Sequence, residues 1–237
     1  MKRLMLAALL SALCFGMWAE SLPEWIVPLR EALYEQKLNA DQIKPIYFAA
    51  LNASKTNAKG VELDLALSRC EYFMGRAFQY YKRNNEAFAR YLDGIKLAEK
   101  ALEATPSAEA WVMRAENLSQ SCAVGSVAYA MSNGLDVEKF AKNALALNSR
   151  NAAAQYLVAA RWVYAPSPFS NLKKGIDMMT DILKNGDMDK DDLFNVNLAI
   201  GYAYIQQKKY SDARPWLLKA LEVYPSNKYA AELLAKK

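Results

Sequence analysis

The chain contains no histidine. That removes the commonest general base, the base of the usual nucleophilic triads and the commonest metal ligand. Cysteine is scarce: Cys14, Cys70 and Cys122 lie too far apart for metal-ligand spacing. None of the nine glycines belongs to a phosphate-cradling loop. The acidic residues Asp187, Asp189, Asp191 and Asp192 crowd together, but without the glycine and distal glutamate of a calcium loop. They read as helix-start carboxylates that cap free amides and offset the dipole. The expectation is a chain with no cofactor, no metal and no catalysis. A hydrolase built on paired carboxylates would need two buried acids facing each other in a cleft with raised pKa values. Excess charge is also lacking. There are 30 basic residues against 25 acidic ones, and two of the basic ones, Lys2 and Arg3, stand at the extreme N-terminus. Elsewhere no basic cluster is longer than a pair such as Lys82-Arg83, so nucleic acid is not an expected partner.

Long apolar runs are missing beyond the N-terminus, so no integral membrane protein is expected. The one such run, Leu4 to Phe15, follows Lys2 and Arg3 and precedes the small residues Gly16 and Ala19. That is the pattern of a secretory signal, residues 1–19, cleaved after Ala19 or alternatively Gly16. The mature chain is then exported, with the periplasm as its compartment. Cys14 offers a rival, lipid attachment, although Leu13 is a poor residue to precede it. An exported chain can keep disulfides. Cys70 and Cys122, however, sit in helical patterns with apolar neighbours and read as buried thiols acting as small hydrophobes. Their separation in space, which decides whether they are bridged, is not in the sequence.

What the sequence has is helical periodicity throughout, with no credible strand. In Asn197 to Pro225, Ile200, Gly201 and Tyr204 fall on one helical face, and Ala213, Leu217 and Ala220 fall on another after a polar turn at Gln207 to Lys209. Gly201 and Ala213 are small where two helices would cross; Tyr204 and Leu217 can fill the space beside the crossing. Pro215 lies early in the second helix, where it costs least, and Pro225 just past it. The stretch resembles a tetratricopeptide repeat (TPR), a helix-turn-helix unit of about 34 residues, in Gly201, Tyr204, Tyr210, Ala213, Leu217, Ala220 and Pro225. Gly75, Phe78, Ala87, Tyr91 and Gly94 repeat the spacing of Gly201, Tyr204, Ala213, Leu217 and Ala220, each displaced by 126 residues. That interval is three units of about 42 residues, longer than the usual repeat.

The remaining hairpins follow from their breaks. The first is a helix within Ser21 to Gln36 and a second capped by Asn39 with Gln42 as the far partner, with a loop over Asn52 to Gly60. Val61 to Arg83 pairs with Glu86 to Ala104. Thr105-Pro106 then starts a helix that can run to Met131, with Asn133-Gly134 as its stop and Val137 to Leu147 returning. Ala152 to Tyr164, a proline-rich loop at Ala165 to Ser170, and Asn171 to Lys184 make the fourth, with Gly186 stopping it in a left-handed turn. Asp189 to Gln206 opens the last, and Ser226 caps a closing helix. The predicted fold is all-α: a right-handed solenoid of about five hairpins with a C-terminal capping helix. Residues 20–57 form an N-terminal hairpin and residues 58–237 the degenerate repeat domain. A single unit cannot bury its apolar face alone, so the hairpins must stack.

The GRAFQYYKRNNEAF and FAKNALALN segments, with the proline loop before a return helix, are also similar to the T-component proteins associated with tripartite ATP-independent periplasmic transporters, over residues 65 to 185. That resemblance implies an accessory protein with a cavity for a small apolar or carboxylate-bearing ligand.

In repeat scaffolds the first helix of each hairpin lines the concave surface. Arg69, Arg76 and Arg83 recur every seven residues on nearly one helical face, flanked by Tyr72 and Tyr80. A guanidinium fork there suits a carboxylate or phosphate; the bland alternative is a stripe neutralised by Glu109 or Glu116. Tyr156, Leu198 and Tyr202 extend the same face, as binding surface or as core. The expected function is an exported adaptor that holds a peptide segment or another envelope protein. The alternative is the ligand carrier, with a small hydrophobic compound. An open groove with exposed aromatics would favour the adaptor; a closed cavity of several hundred Å3 would favour the carrier.

Overall fold

The computed structural model describes residues 22–236. The leader, both cleavage positions and Cys14 lie outside the described residues. Eleven helices follow one another: α1 (Val27–Glu35), α2 (Ala40–Asn57), α3 (Gly60–Tyr80), α4 (Asn84–Ala104), α5 (Ala108–Val124), α6 (Val127–Leu147), α7 (Ala152–Tyr164), α8 (Leu172–Asn185), α9 (Lys190–Gln206), α10 (Tyr210–Val223) and α11 (Lys228–Leu234). They make five hairpins and a terminal helix, and no strand occurs among the described residues.

Polar side chains set most of the helix starts. Asn39 and Gln42 form the expected capping box on α2, and Asp189 and Asp192 form another on α9. Asn151 and Asn171 accept the Ala154 and Lys174 amides at the starts of α7 and α8. Between elements, Lys82 and Lys208 take positive φ of 62° and 59° in the short turns of the second and fifth hairpins. These two turns are equivalent under the 126-residue repeat.

Glycine sets the helix crossings. A Cβ at Gly201 would sit 2.6 Å from Cδ2 of Leu217, and one at Gly75 would sit 2.5 Å from the ring of Tyr91. Gly75 with Tyr91 and Gly201 with Leu217 are the same repeat positions, so the internal repeat read from spacing is also a repeat of packing. Each even-numbered helix packs on its hairpin partner and on the next odd-numbered helix. The odd-numbered helices lie side by side, α1 on α3, α3 on α5, α5 on α7, α7 on α9 and α9 on α11. They form the inner wall.

The wall closes on itself. Tyr34 of α1 stacks on Tyr224 with centroids 4.8 Å apart, and meets Phe194 of α9 edge-on at 5.3 Å. Asn227 donates to the Tyr34 carbonyl at 2.7 Å, and Ser226 to the Glu35 carbonyl at 2.7 Å. Gln36 Oε1 accepts the amides of Lys228 and Tyr229 at 2.7 and 3.2 Å, at the start of α11. Arg30 pairs with Asp191 at 3.4 Å and Lys190 with Glu31 at 2.6 Å. One apolar core therefore runs through residues of α1 to α4 and of α9 to α11, joining the two ends of the array.

Several boundaries differ from those the sequence suggests. The third hairpin turns at Gly125-Ser126, because Ser126 accepts the Tyr129 amide and starts α6 there. Asn133-Gly134 lies inside α6; Asn133 bonds back to the Tyr129 carbonyl, and Gly134 faces open space. Ser107, not Thr105, caps α5 by accepting the Ala110 amide. Asn227, not Ser226, caps α11; Ser226 is spent on Glu35. Helix α2 continues through Asn57 because Ser54, Thr56 and Asn57 return hydrogen bonds to carbonyls four residues earlier. Gly186 has φ −78°, so it ends α8 in an extended conformation, not a left-handed one.

Candidate functional site

Arg69, Tyr72, Arg76 and Tyr80 fall three, seven and eleven residues along α3, one inward stripe of the wall. The structure treats the three arginines of the row differently. Arg83 stands at the rim, paired with Asp41 at 2.9 Å and with Glu86. Arg69 reaches inward to Glu109 and Glu116 of α5, the latter at 2.8 Å. Those are the two acids the sequence offered as its neutralising partners, and this arginine is not a free binding group. Arg76 is different. Its one hydrogen bond among the described residues is from Nη1 to the Tyr72 hydroxyl at 2.9 Å, and its guanidinium lies 5.7 Å from the Tyr72 ring centre. Its electrostatic neighbours include the phenols of Tyr72, Tyr34, Tyr91 and Tyr156, and the Glu116 carboxylate of α5. Burial disfavours its charged form, yet its pKa still lies well above the ordinary arginine value, so it stays charged.

Arg76 opens into a chamber of about 570 Å3 that also includes Tyr34, Tyr80, Leu198, Tyr229 and Gln120. Helices α1, α3, α5, α9 and α11 all contribute to it. Tyr156 and Tyr202 stand beside it: Tyr156 donates to Tyr164 at 3.5 Å, and the Tyr164 ring lies 5.1 Å from that of Tyr202. The Tyr156 hydroxyl feels both Arg76 and Glu116, which places it between the two arginine sites. Of the residues expected to bind, Arg76, Tyr80 and Leu198 line the chamber. Tyr72, only 4% exposed, anchors Arg76, while Tyr156 and Tyr202 adjoin the chamber. Arg69 belongs to a separate cavity.

That second cavity, about 470 Å3, surrounds Arg69 with Glu109, Glu116 and the Asp187 to Asp192 segment. Burial pushes Glu116 up to about 7 in spite of Arg69. Burial and then Asp189 push Asp191 up to about 7, and burial with Asp189 and Asp191 pushes Asp192 well above the carboxylate range. Raised, buried acids are what a carboxylate-pair hydrolase would need. Here each has a structural partner: Glu116 has Arg69, Asp191 has Arg30, and Asp192 closes the capping box with Asp189. The helix-start reading holds for Asp189 and Asp192, whereas Asp191 belongs to the seam that closes the wall.

Tyr34, Tyr229, Gln79 and Gln120 are chamber residues that no local pattern marks. Tyr34 and Tyr229 arrive there through the closure, which joins residues almost two hundred positions apart. Both later cysteines are free, Cys70 buried and Cys122 half-buried.

No family model matches the chain, and no curated protein matches it at a significant level. Solved structures do. A thermophilic TPR protein of Thermus thermophilus shares 17% identity with a TM-score of 0.55, over 89% of this chain and 97% of that one. YrrB, described as a TPR protein with an unusual peptide-binding site, shares 14% identity over 90% of this chain and 91% of its own, with a TM-score of 0.38, too low to carry an argument. The chain thus has the fold of the TPR proteins, an all-α helical-hairpin scaffold. Neither structure lends support to the T-component resemblance.

Proposed function

We propose that this chain is an exported, non-catalytic TPR-like scaffold that holds an acid-bearing guest in the chamber around Arg76. The observation that carries the reading is a guanidinium lining a half-open chamber, with phenols around it and no ion-pair partner among the described residues. Partly desolvating a cation without an ion-pair partner costs stability, and a guest that brings the anion recovers it. The chamber's volume falls in the range of small-ligand sites. Closure of the wall by Tyr34, Phe194 and Tyr224 bounds the chamber at one side and supports a compact guest over a peptide laid along a groove running the length of the array. The adaptor reading survives in a narrower form, in which the guest is the C-terminal end of a peptide from another envelope protein. Export rests on the pattern of residues 1–19, and among the described residues no helix is long and apolar enough to cross a membrane.

The test is native mass spectrometry of the protein recovered from cells that export it, with N-terminal sequencing of the same sample. The expected result is a chain beginning at Glu20 that carries a noncovalent mass, with Arg76→Gln carrying none. A chain that retains residues 1–19 overturns export. Equal retention of the mass by Arg76→Gln overturns the Arg76 site.

A further inference from the structure

We propose that the tips of the third and fourth hairpins form a docking edge for an anionic bilayer surface. Val127, Met131 and Leu135 of α6 and Phe169 enter the lipid, and Lys173 and Lys174 meet its headgroups. The proposal does not depend on the chamber around Arg76.

Helix α6 is packed over only part of its length. Its buried residues, Phe140, Ala141 and Ala144, all lie in the C-terminal half. In the other half Val127, Met131 and Leu135 follow one another turn by turn along one face, 77%, 79% and 79% exposed. With Phe169, at 70%, they are the four most exposed large hydrophobic side chains among the described residues. Apolar residues scattered singly on a surface need no explanation, but a contiguous exposed stripe marks an interaction site.

Phe169 belongs to the same edge. Glu138, about one turn beyond Leu135, continues the face, and Arg161 in the last turn of α7 pairs with it. The chain leaves α7 just beyond that point. The Asn171 amide bonds back to the Trp162 carbonyl at 2.9 Å, so the loop that carries Phe169 is held at the end of α7, beside the stripe.

The charges around the edge select its occupant. Lys142 pairs with Glu138 at 2.7 Å and Lys139 with Asp136 at 3.8 Å. Lys173 and Lys174 are exposed and have no ion-pair partner among the described residues; the Lys174 ammonium lies 3.9 Å from the Trp162 ring centre. Both stand in the first turn of α8, which holds no acid and where a cation opposes the helix dipole. An anionic surface relieves that conflict, and exposed apolar side chains beside basic ones are the pattern of a peripheral membrane contact. Area points the same way. The α6 stripe offers about 200–400 Å2, at most half of the about 800 Å2 that each partner of a stable complex buries. A second copy of this chain would bring the same unpaired lysines, whereas a bilayer brings anions and sets no minimum area.

The test is density-gradient flotation of the exported protein with vesicles of phosphatidylcholine alone and of an equimolar mixture with phosphatidylglycerol. The parent should float with the mixed vesicles, more weakly as salt is added, and several-fold more weakly with phosphatidylcholine alone. Met131→Glu with Leu135→Glu should reduce partitioning about tenfold or more, and Phe169→Ser several-fold. Lys173→Glu with Lys174→Glu should remove the preference for the mixed vesicles. All these positions are exposed, so each variant should keep the melting temperature of the parent. Parent and variants share one N-terminus, so any binding by residues 1–19 is common to all of them. If the parent does not float, or if Met131→Glu with Leu135→Glu floats as the parent does, the proposal falls. It falls also if sedimentation without vesicles finds a parent dimer that those two substitutions make monomeric while neither protein floats, because the stripe is then an interface between copies.

Discussion

The same substitution, glycine to alanine inside a helix, should have opposite effects at Gly134 and at Gly201. Alanine favours a helix over glycine by about 1 kcal/mol at an interior position. At Gly134 in α6 nothing lies within 4 Å of the added methyl, so that gain stands alone. A gain of about 0.5–1 kcal/mol should raise the Tm by roughly 1–4 °C in a chain of this size. At Gly201 in α9 the added carbon would sit 2.6 Å from Cδ2 and 2.7 Å from Cγ of Leu217. Carbon atoms pack at about 3.5–4.0 Å, so Leu217 must retreat by about 1 Å. It is 1% exposed and lies on the packed side of α10 with Ala213 and Ala220, so the retreat separates the helices. Such overpacking costs about 1–3 kcal/mol and outweighs the propensity gain. Gly201→Ala should therefore lower the Tm, and Gly201→Leu should lower it further. Circular-dichroism melts with urea titrations of the two alanine variants decide the matter. If Gly201→Ala is stabilised as much as Gly134→Ala, the close crossing of α9 and α10 is not where the structure puts it.

The other expectations concern charge and capping. Glu116 has a folded-state pKa of about 7, raised from 4.5 by burial, so the folded state holds a proton that the unfolded chain releases. Its contribution to stability falls as pH rises through about 4.5 to 7 and is fully lost above that window; Glu116→Gln should flatten the fall by up to about 3 kcal/mol, and urea titrations across the window that ran parallel for both proteins would contradict this. Arg76→Met should leave the guest-free protein at least as stable as the parent, since it removes a half-buried guanidinium with no ion-pair partner among the described residues, while abolishing acid binding; a lower melting temperature would mean that Arg76 has a structural role instead. Ser126→Ala should cost about 1 kcal/mol through the lost cap of α6, and an unchanged urea midpoint would move the third turn back toward Asn133-Gly134.

The local chemistry of the fold was legible, and its long-range chemistry was not. The Gly201 and Leu217 crossing, its copy at Gly75 and Tyr91, and the Asn39 capping box all follow from residues a few turns apart. The third turn was misread because Asn133-Gly134 is a stronger stop signal than Gly125-Ser126. A glycine inside a long, well-packed helix costs only about 1 kcal/mol, which tertiary packing readily absorbs. At the site, the seven-residue spacing put Arg69, Arg76 and Arg83 on one face. It could not say that Glu109 and Glu116 would pair with Arg69 and leave Arg76 without an ion-pair partner among the described residues. Least legible was the arrival of Tyr34 and Tyr229. That depends on Asn227, Ser226 and Gln36 meeting across almost the whole sequence, and no periodicity encodes such a contact.

The docking of the first helix onto the last repeat also fixes the number of repeats. An open solenoid can gain or lose a unit, because each repeat touches only its neighbours. Here Tyr34 is sandwiched against Phe194 and Tyr224, and inserting one more hairpin anywhere would carry those partners out of reach. Duplication of a unit, the usual way such arrays grow, would have to break this circuit before it could lengthen it. The count of hairpins is thus locked by geometry, and with it the diameter of the space that Arg76 faces.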